Sequence, residues 1–399
     1  MSTGIKLFES KADCCGCGAC YNTCPQQAIH FQKDEYGFIF PTINNELCIS
    51  CGVCNKVCPM QNDSGVSKPQ TVYAAALNDT EIKKKSASGG VFAGIAKYIL
   101  SQGGVVYGAA YGDNQYVHHI GITEEKELYR LQDSKYVQSD IENVYSDVKE
   151  KLLTGKLVLF SGTPCQVAGL KLYLRKSYDN LYTIDLICHG VPSYQMFYDG
   201  MQAVIGADEQ IKCVSFRDKT RGWGTDGYIR TDKKSYSIDE GRSSYYYYFL
   251  NSMIYRDSCY YCQYASDNRP GDFTIGDYWR IETAHTEYRK TINAHDGVSC
   301  LLINSDKGKD LFKVVQNDFA LIESTVELVK ARNGRLNRCE SMPPLRSEVL
   351  ELYKKNGYRA LNEHWTKHEY KGLLFLRMKE FIRPAYKVVR KLISSLSRG

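Results

Sequence analysis

Residues 14–25 read CCGCGACYNTCP and residues 48–59 read CISCGVCNKVCP. With Cys15 set aside, both follow Cx2Cx2Cx3CP: Cys14, Cys17, Cys20 and Cys24 before Pro25, then Cys48, Cys51, Cys54 and Cys58 before Pro59. This is a spacing with which thiolates enclose iron–sulfur cubanes. Soft sulfur matches iron, and short loops carrying Gly16, Gly18 and Gly52 can wrap a small cube while aiming backbone amides at its sulfurs. A zinc ribbon would need only two CxxC pairs and leaves half of each run unexplained. A disulfide scaffold would need an oxidising compartment. The doubled four-cysteine run is far more specific than a lone CxxC, so the cluster reading prevails. Cys15, squeezed between ligands, has no slot in the pattern and reads as a bystander.

In bacterial two-cluster ferredoxins three cysteines of one run hold a cubane while the fourth serves its neighbour. Cys14, Cys17, Cys20 and Cys58 are therefore expected to share one [4Fe-4S] cluster, and Cys48, Cys51, Cys54 and Cys24 the other. Between the runs, AIHFQKDEYGFIFPTI reads as two short strands around Tyr36-Gly37, and the polar stretch QNDSGVSKPQ closes the unit.

At 399 residues and 43% hydrophobic, the chain has room for such a unit plus a large domain with its own core. The N-terminus lacks a basic region followed by an apolar stretch, and no run approaches the roughly 20 apolar residues of a membrane span. A cytoplasmic location, where thiols stay reduced, is the expectation. Residues 369–399 carry eight Lys or Arg against two Glu, which equals the formal net charge of +6 of the whole chain. The remainder is balanced, with no broad basic face for nucleic acid.

After the cysteine runs, strand-like TVYAAAL, GVVYGAAY, KLVLFSG and LYTIDLI alternate with helical patterns such as GGVFAGIAKYILSQG, SDIENVYSDVKEKLL and TPCQVAGLKLYLRKS. The expected class is α+β: a two-cluster ferredoxin domain over 1–66, an α/β domain over 70–340 with a candidate flavin-binding cradle, and a helical tail over 341–399. In that tail Leu374, Met378, Phe381, Ala385, Val388 and Leu392 recur every three or four residues, while Arg383, Lys387, Arg390 and Lys391 gather on another side. Such a segment either lies peripherally on the anionic inner face of a membrane or packs on its own domain, and Pro384 should kink it.

Cys165 in GTPCQVAGL and Cys188 in DLICHGVPS each follow a strand, and Cys259 with Cys262 forms CYYC. Residues at the carboxyl ends of neighbouring strands converge on one crevice in an open sheet, so these four are candidates for a third cluster; buried small thiols and a zinc half-site are the alternatives. Cys213, Cys300 and Cys339 read as spare core thiols, with Cys213 a possible substitute. Ser86, Ser88, Gly89 and Gly90 stand before the helical pattern 91–100 and suit either an anionic cofactor group or an ordinary capped helix. Gly222, Gly224 and Gly227 match GxGxxG but precede a strand rather than a helix. Arg217 and Lys219 are candidates for tuning a flavin from its pyrimidine edge, or are surface charge. His189 either donates a proton or satisfies a carbonyl.

Taken together, the ferredoxin pair, SASGGVF, GTPCQVAGL, DLICHGVPS, FRDKxxGWG, CxxC and GDFTIGDYW resemble the beta subunit family of coenzyme F420 hydrogenases and dehydrogenases, over roughly residues 10–340. The resemblance implies an iron–sulfur flavoprotein oxidoreductase. It implies a third [4Fe-4S] cluster on Cys165, Cys188, Cys259 and Cys262, and FAD contacts at Ser88, Gly89, Gly90 and Thr163. The fused ferredoxin and basic extension depart from the family pattern and are similar to stand-alone bacterial members encoded among surface-polysaccharide functions. The expected partners are a redox protein such as reduced ferredoxin and an organic acceptor. A non-catalytic electron-transfer subunit is the rival reading.

Overall fold

The computed structural model describes residues 4–370. In the N-terminal part, the short helices Ala19–Thr23 and Val53–Lys56 each begin after a glycine at positive φ, Gly18 at +77° and Gly52 at +68°. Between them β1 (Ile29–Lys33) and β2 (Ile39–Ile43) pair antiparallel, with Ile29 opposite Ile43. The Asp34 carboxylate closes their turn by accepting from the amides of Tyr36 and Phe38 at 3.0 and 2.9 Å. The ferredoxin-like expectation for this region is met.

The large part contains, in order, β3 (Thr71–Leu77), β4 (Val105–Tyr111), β5 (Val117–Ile122), β6 (Val158–Gly162), β7 (Leu181–Leu186), β8 (Ile211–Ser215), β9 (Gly227–Thr231), β10 (Ser235–Ile238), β11 (Phe273–Asp277), β12 (Ser299–Ile303) and β13 (Phe319–Ser324). Eight of them form one sheet in the order β13-β3-β12-β11-β7-β6-β4-β5, and β8, β9 and β10 form a smaller antiparallel one. The central run β11, β7, β6 and β4 is parallel. β6 is buried along its whole length, as its unbroken VLFSG run requires of a parallel strand covered on both faces.

One face packs on helices Val91–Ser101 and Asp306–Val315 through Ile95, Ile99, Phe312 and Leu159. The other packs on helices Val144–Leu153 and Pro164–Leu174 through Tyr145, Val148, Val167 and Phe160, and Cys17, Ala19 and Val57 of the N-terminal part share that core. A third cluster of apolar side chains gathers around helix Ser244–Leu250, in which all four of Tyr245–Tyr248 are buried. The tyrosine run is therefore a core element. Helix Arg346–His368 packs on it through Val349, Leu361 and Trp365, with a break at Gly357, whose φ is +70°. The amphipathic pattern from Leu374 to Leu392 lies outside the described residues. Among the described residues no helix is long and apolar enough to cross a membrane.

His119 of β5 is 2% exposed, with Nδ1 2.8 Å from Ser139 Oγ and Nε2 3.0 Å from the Ser161 carbonyl. Burial lowers its pKa from 6.5 to about 4. The unfolded chain then takes up the proton first, so this contribution is complete above about pH 6.5 and is lost as pH falls toward 4, by on the order of 3 kcal/mol. Urea unfolding at pH 7 and pH 4.5 should give a smaller acid loss for His119→Gln than for wild type; equal losses would place the sensitivity elsewhere.

Candidate iron–sulfur centre and adjoining cleft

Short loops at positive-φ glycines turn the N-terminal cysteines inward. Cys20 lies close to Cys14 and Cys58, Cys17 to Cys20 and Cys58, and Cys58 to Cys14. Burial first, then these neighbours, push the thiols of Cys20 and Cys58 up. Cys24, Cys48, Cys51 and Cys54 together line a small pocket walled by Ile5, Ile29, Ile43 and Val53. The Ala28 amide donates to Cys24 Sγ at 3.3 Å, the kind of N–H···S contact that favours thiolate. Cys51 is exposed and Cys17 buried, so the second set faces outward and the first faces the large part.

The first set meets the large part at two seams. Cys15 contacts Cys165, and Gly169 admits Cys17, since a methyl group at Gly169 would lie 3.0 Å from Cys17 Sγ. On the other side, Gln263 Nε2 and the Tyr264 hydroxyl donate to the Pro59 carbonyl at 2.6 and 3.3 Å, which ties the residue after Cys58 to the two after Cys262.

Cys165, Cys188, Cys259 and Cys262 come together. Every pair among them is close enough for one sulfur to raise the pKa of another. Cys165 is the second residue of helix Pro164–Leu174, where a Thr163/Gln166 capping box and Pro164 fix the helix start. Cys188 follows β7, and burial pushes its thiol up to about 12. The Cys259 amide donates to the Arg256 carbonyl at 3.0 Å. Beside this set the buried pair Arg269 and Asp185, 1% and 0% exposed, braces the ends of β7 and β11. Cys339 lies near Cys262 and donates to the Tyr260 carbonyl at 3.0 Å. Cys213 lies elsewhere, by Tyr111 and Tyr228, and Cys300 is buried in β12. Among the described residues no three His, Cys, Asp or Glu side chains converge tightly enough to hold a single metal ion.

The remaining sequence candidates lie along the same carboxyl edge. Ser86 donates to the Ile82 carbonyl at 3.0 Å, Ser88 donates to the Val298 carbonyl at 2.9 Å, and the Gly89 amide donates to Ser299 Oγ at 2.9 Å. A methyl group at Gly89 would lie 2.3 Å from the Ala75 carbonyl, so glycine there serves close backbone packing. Gly90, at φ +86°, opens helix Val91–Ser101 without a side-chain cap. Thr163 Oγ1 lies 3.2 Å from Cys165 Sγ.

Lys219 directs its ammonium to the carbonyls of Lys83, Ser88 and Asp296 at 2.9, 2.6 and 2.6 Å, and burial followed by Arg217 brings its pKa down to about 8. Arg217 makes a two-pronged bond to Asp277 at 2.7 and 3.0 Å. Trp223 Nε1 donates to the same carboxylate at 3.1 Å, and its ring stacks on Trp279 at 4.8 Å. His189 is exposed, and the protein around it and then Arg335 lower its pKa. Lys135 is half-buried with its ammonium 2.7 Å from the Gln132 carbonyl, and burial lowers its pKa to about 8 while raising that of Asp133 beside it.

Residues 155–327 match the family model for the C terminus of the coenzyme F420 hydrogenase/dehydrogenase beta subunit, and residues 13–62 match a 4Fe-4S dicluster domain. The protein is thus an iron–sulfur protein of electron-transfer type. Within its larger part, residues 155–327 are similar to the C terminus of that beta subunit, the family to which the sequence resemblance pointed. Among solved structures, a chain of the F420-reducing [NiFe] hydrogenase complex from Methanosarcina barkeri aligns over 73% of this chain and 94% of its own, at 18% identity and a TM-score of 0.47. A search among curated proteins finds no match.

Arg217 and Asp277 are 3% and 15% exposed in their side chains. Arg217→Met strands a largely buried carboxylate and should cost about 3 kcal/mol in urea unfolding, with a shift in tryptophan emission from the disturbed Trp223–Trp279 stack. An unchanged midpoint and spectrum would show that the pair holds nothing in place.

Proposed function

We propose that this chain is an iron–sulfur flavoprotein oxidoreductase that passes electrons between ferredoxin-type clusters and an organic acceptor. In this reading Cys14, Cys17, Cys20 and Cys58 hold one [4Fe-4S] cluster, Cys48, Cys51, Cys54 and Cys24 a second, and Cys165, Cys188, Cys259 and Cys262 a third. FAD would lie at the carboxyl edge of the large sheet, against Ser88, Gly89, Gly90 and Thr163. The observation that carries the reading is the gathering of four thiols from three separate segments beside Cys15. Four desolvated thiols repel as anions, and bonding to metal cations removes that penalty. When bound, the clusters would supply one-electron transfer and FAD the pairing of electrons for carbon chemistry.

The protein's own groups have definable tasks. The first-turn amides of helix Val91–Ser101, left without a side-chain cap, suit an anionic group. Lys219 fixes the Ser88 loop against the segments of Lys83 and Asp296. Neutral His189 can accept a hydrogen bond or a proton at the cleft. A redox protein as electron donor and an organic acceptor are the partners of this reading.

A non-catalytic electron-transfer subunit is the second reading. It is favoured by the internal use of the donors of Ser86, Ser88, Gly89, Arg217 and Lys219, which leaves few of them for a cofactor. Anaerobic purification separates the two: about 12 irons with one FAD per chain supports the enzyme, and clusters without flavin support the electron-transfer role alone. Cys188→Ser should lower iron by about four per chain while leaving the N-terminal signals intact, and unchanged iron would remove the third cluster. The crossed ligand pattern predicts that Cys58→Ser abolishes the electron paramagnetic resonance signal that Cys17→Ser also abolishes; loss of the Cys48→Ser signal instead would contradict it.

A further inference from the structure

Arg256 is fully buried, at 0% exposure, yet among the described residues it makes no ion pair with a carboxylate. Its side chain points across the seam between the two parts of the protein. Nε donates to the Cys14 carbonyl at 2.7 Å, and Nη1 to the Ile39 carbonyl at 2.9 Å and to Gln138 Oε1 at 3.2 Å. Nη2 lies 3.4 Å from Cys14 Sγ, and the guanidinium covers the Phe40 ring at 4.0 Å. Its backbone belongs to the other side of the seam: its amide donates to the Val191 carbonyl at 2.9 Å, and its carbonyl accepts from the Cys259 amide. Gly16 makes room for it, since a methyl group there would stand 3.2 Å from Arg256 Cζ and 2.2 Å from Gln138 Nε2.

A permanently charged guanidinium in a dry interior is costly unless an anion faces it. Three carbonyl or amide oxygens stabilise it but leave its charge uncancelled. The other buried arginine near thiols, Arg269, differs on this point: it is paired with the buried carboxylate of Asp185, although its charge still draws the thiols of Cys188 and Cys262 down. The ionisable group set against Arg256 is Cys14, whose Sγ lies 3.4 Å from Nη2.

Resting on the ligand reading above, we infer that Arg256 is the buried counter-cation of the set Cys14, Cys17, Cys20 and Cys58, raising the reduction potential of the cluster held there relative to that of the set Cys48, Cys51, Cys54 and Cys24. Reduction by one electron from a low-potential donor protein adds one negative charge and neither makes nor breaks a bond. A fixed positive charge against Cys14 favours that added charge at short range, and less so at the outward-facing set. Arg256 also reaches Cys165, where its charge opposes the upward push on the thiol, so it stands between two cysteine sets. It is a positioning and tuning residue rather than a ligand.

The test uses the anaerobically purified full chain, with iron and sulfide counts and a dithionite titration monitored by electron paramagnetic resonance. The first cluster's signal is assigned as the one missing in Cys58→Ser. Arg256→Gln should keep its iron and move that signal to a more negative midpoint, with the other N-terminal cluster unmoved, and Arg256→Lys should restore most of the shift. Gln138→Glu is the second variant: it sets a carboxylate beside an intact Arg256 and should move the same signal in the same direction even if Arg256→Gln loses iron. Unmoved potentials in Gln138→Glu, or in an iron-replete Arg256→Gln, overturn the inference. A wild-type protein with no signal sensitive to Cys58→Ser would instead refute the ligand reading, and the inference with it.

Discussion

Desolvated sulfur is the constraint around which this chain is organised. Burial raises the thiols of Cys20, Cys58, Cys188 and Cys259, and their sulfur neighbours raise them further. As protonated thiols they would be only small, soft packing groups, and several side by side would gain nothing that alanine or valine could not supply. As thiolates they need positive charge close by. The dicluster match accounts for this in the N-terminal part, and the same physical pressure acts on the group around Cys165.

The large sheet converts that local constraint into an arrangement across the molecule. β6, β7 and β11 run parallel, so the residues that leave their carboxyl ends emerge on one edge: Thr163 and Cys165, Cys188 and His189, Asp277 and Trp279. A parallel sheet also needs helices on both faces, and one of those helices, Pro164–Leu174, is the surface against which Cys17 packs. The N-terminal part is thereby built into the core of the larger part. Its place relative to Cys165 follows from side-chain packing, with Pro59 held by Gln263 and Tyr264 as a second anchor.

The parts of the architecture governed by local spacing were legible in the sequence. Strands β3, β4, β6 and β7, the helices that alternate with them, and the β1–β2 hairpin all occur where period and turn residues place them. The close grouping of Cys165, Cys188, Cys259 and Cys262 was only a candidate, because about 100 residues separate the first from the last and tertiary structure alone decides whether they meet. Cys15 looked like a bystander because its partner, Cys165, is 150 residues away. Arg256 carried no signal at all: its neighbours in sequence are ordinary, and its meaning lies in the absence of a carboxylate around it.

A side chain that is to act on a bound group must be both desolvated and reachable, and this separates the polar residues of the cleft. Arg217 and Lys219 are desolvated, but each has its donors directed at internal acceptors, so their substitution would disturb loops before it disturbed chemistry. His189 and Lys135 keep contact with solvent while the surrounding protein lowers both pKa values, to about 4 and about 8. The motif FRDKxxGWG drew attention to Arg217 and Lys219 because charged residues beside tryptophan stand out in a sequence. Lys135 stands out only once Asp133, Tyr111 and the Gln132 carbonyl are seen around it. Which polar groups of this edge are held in place is thus set by tertiary neighbours that the sequence does not display.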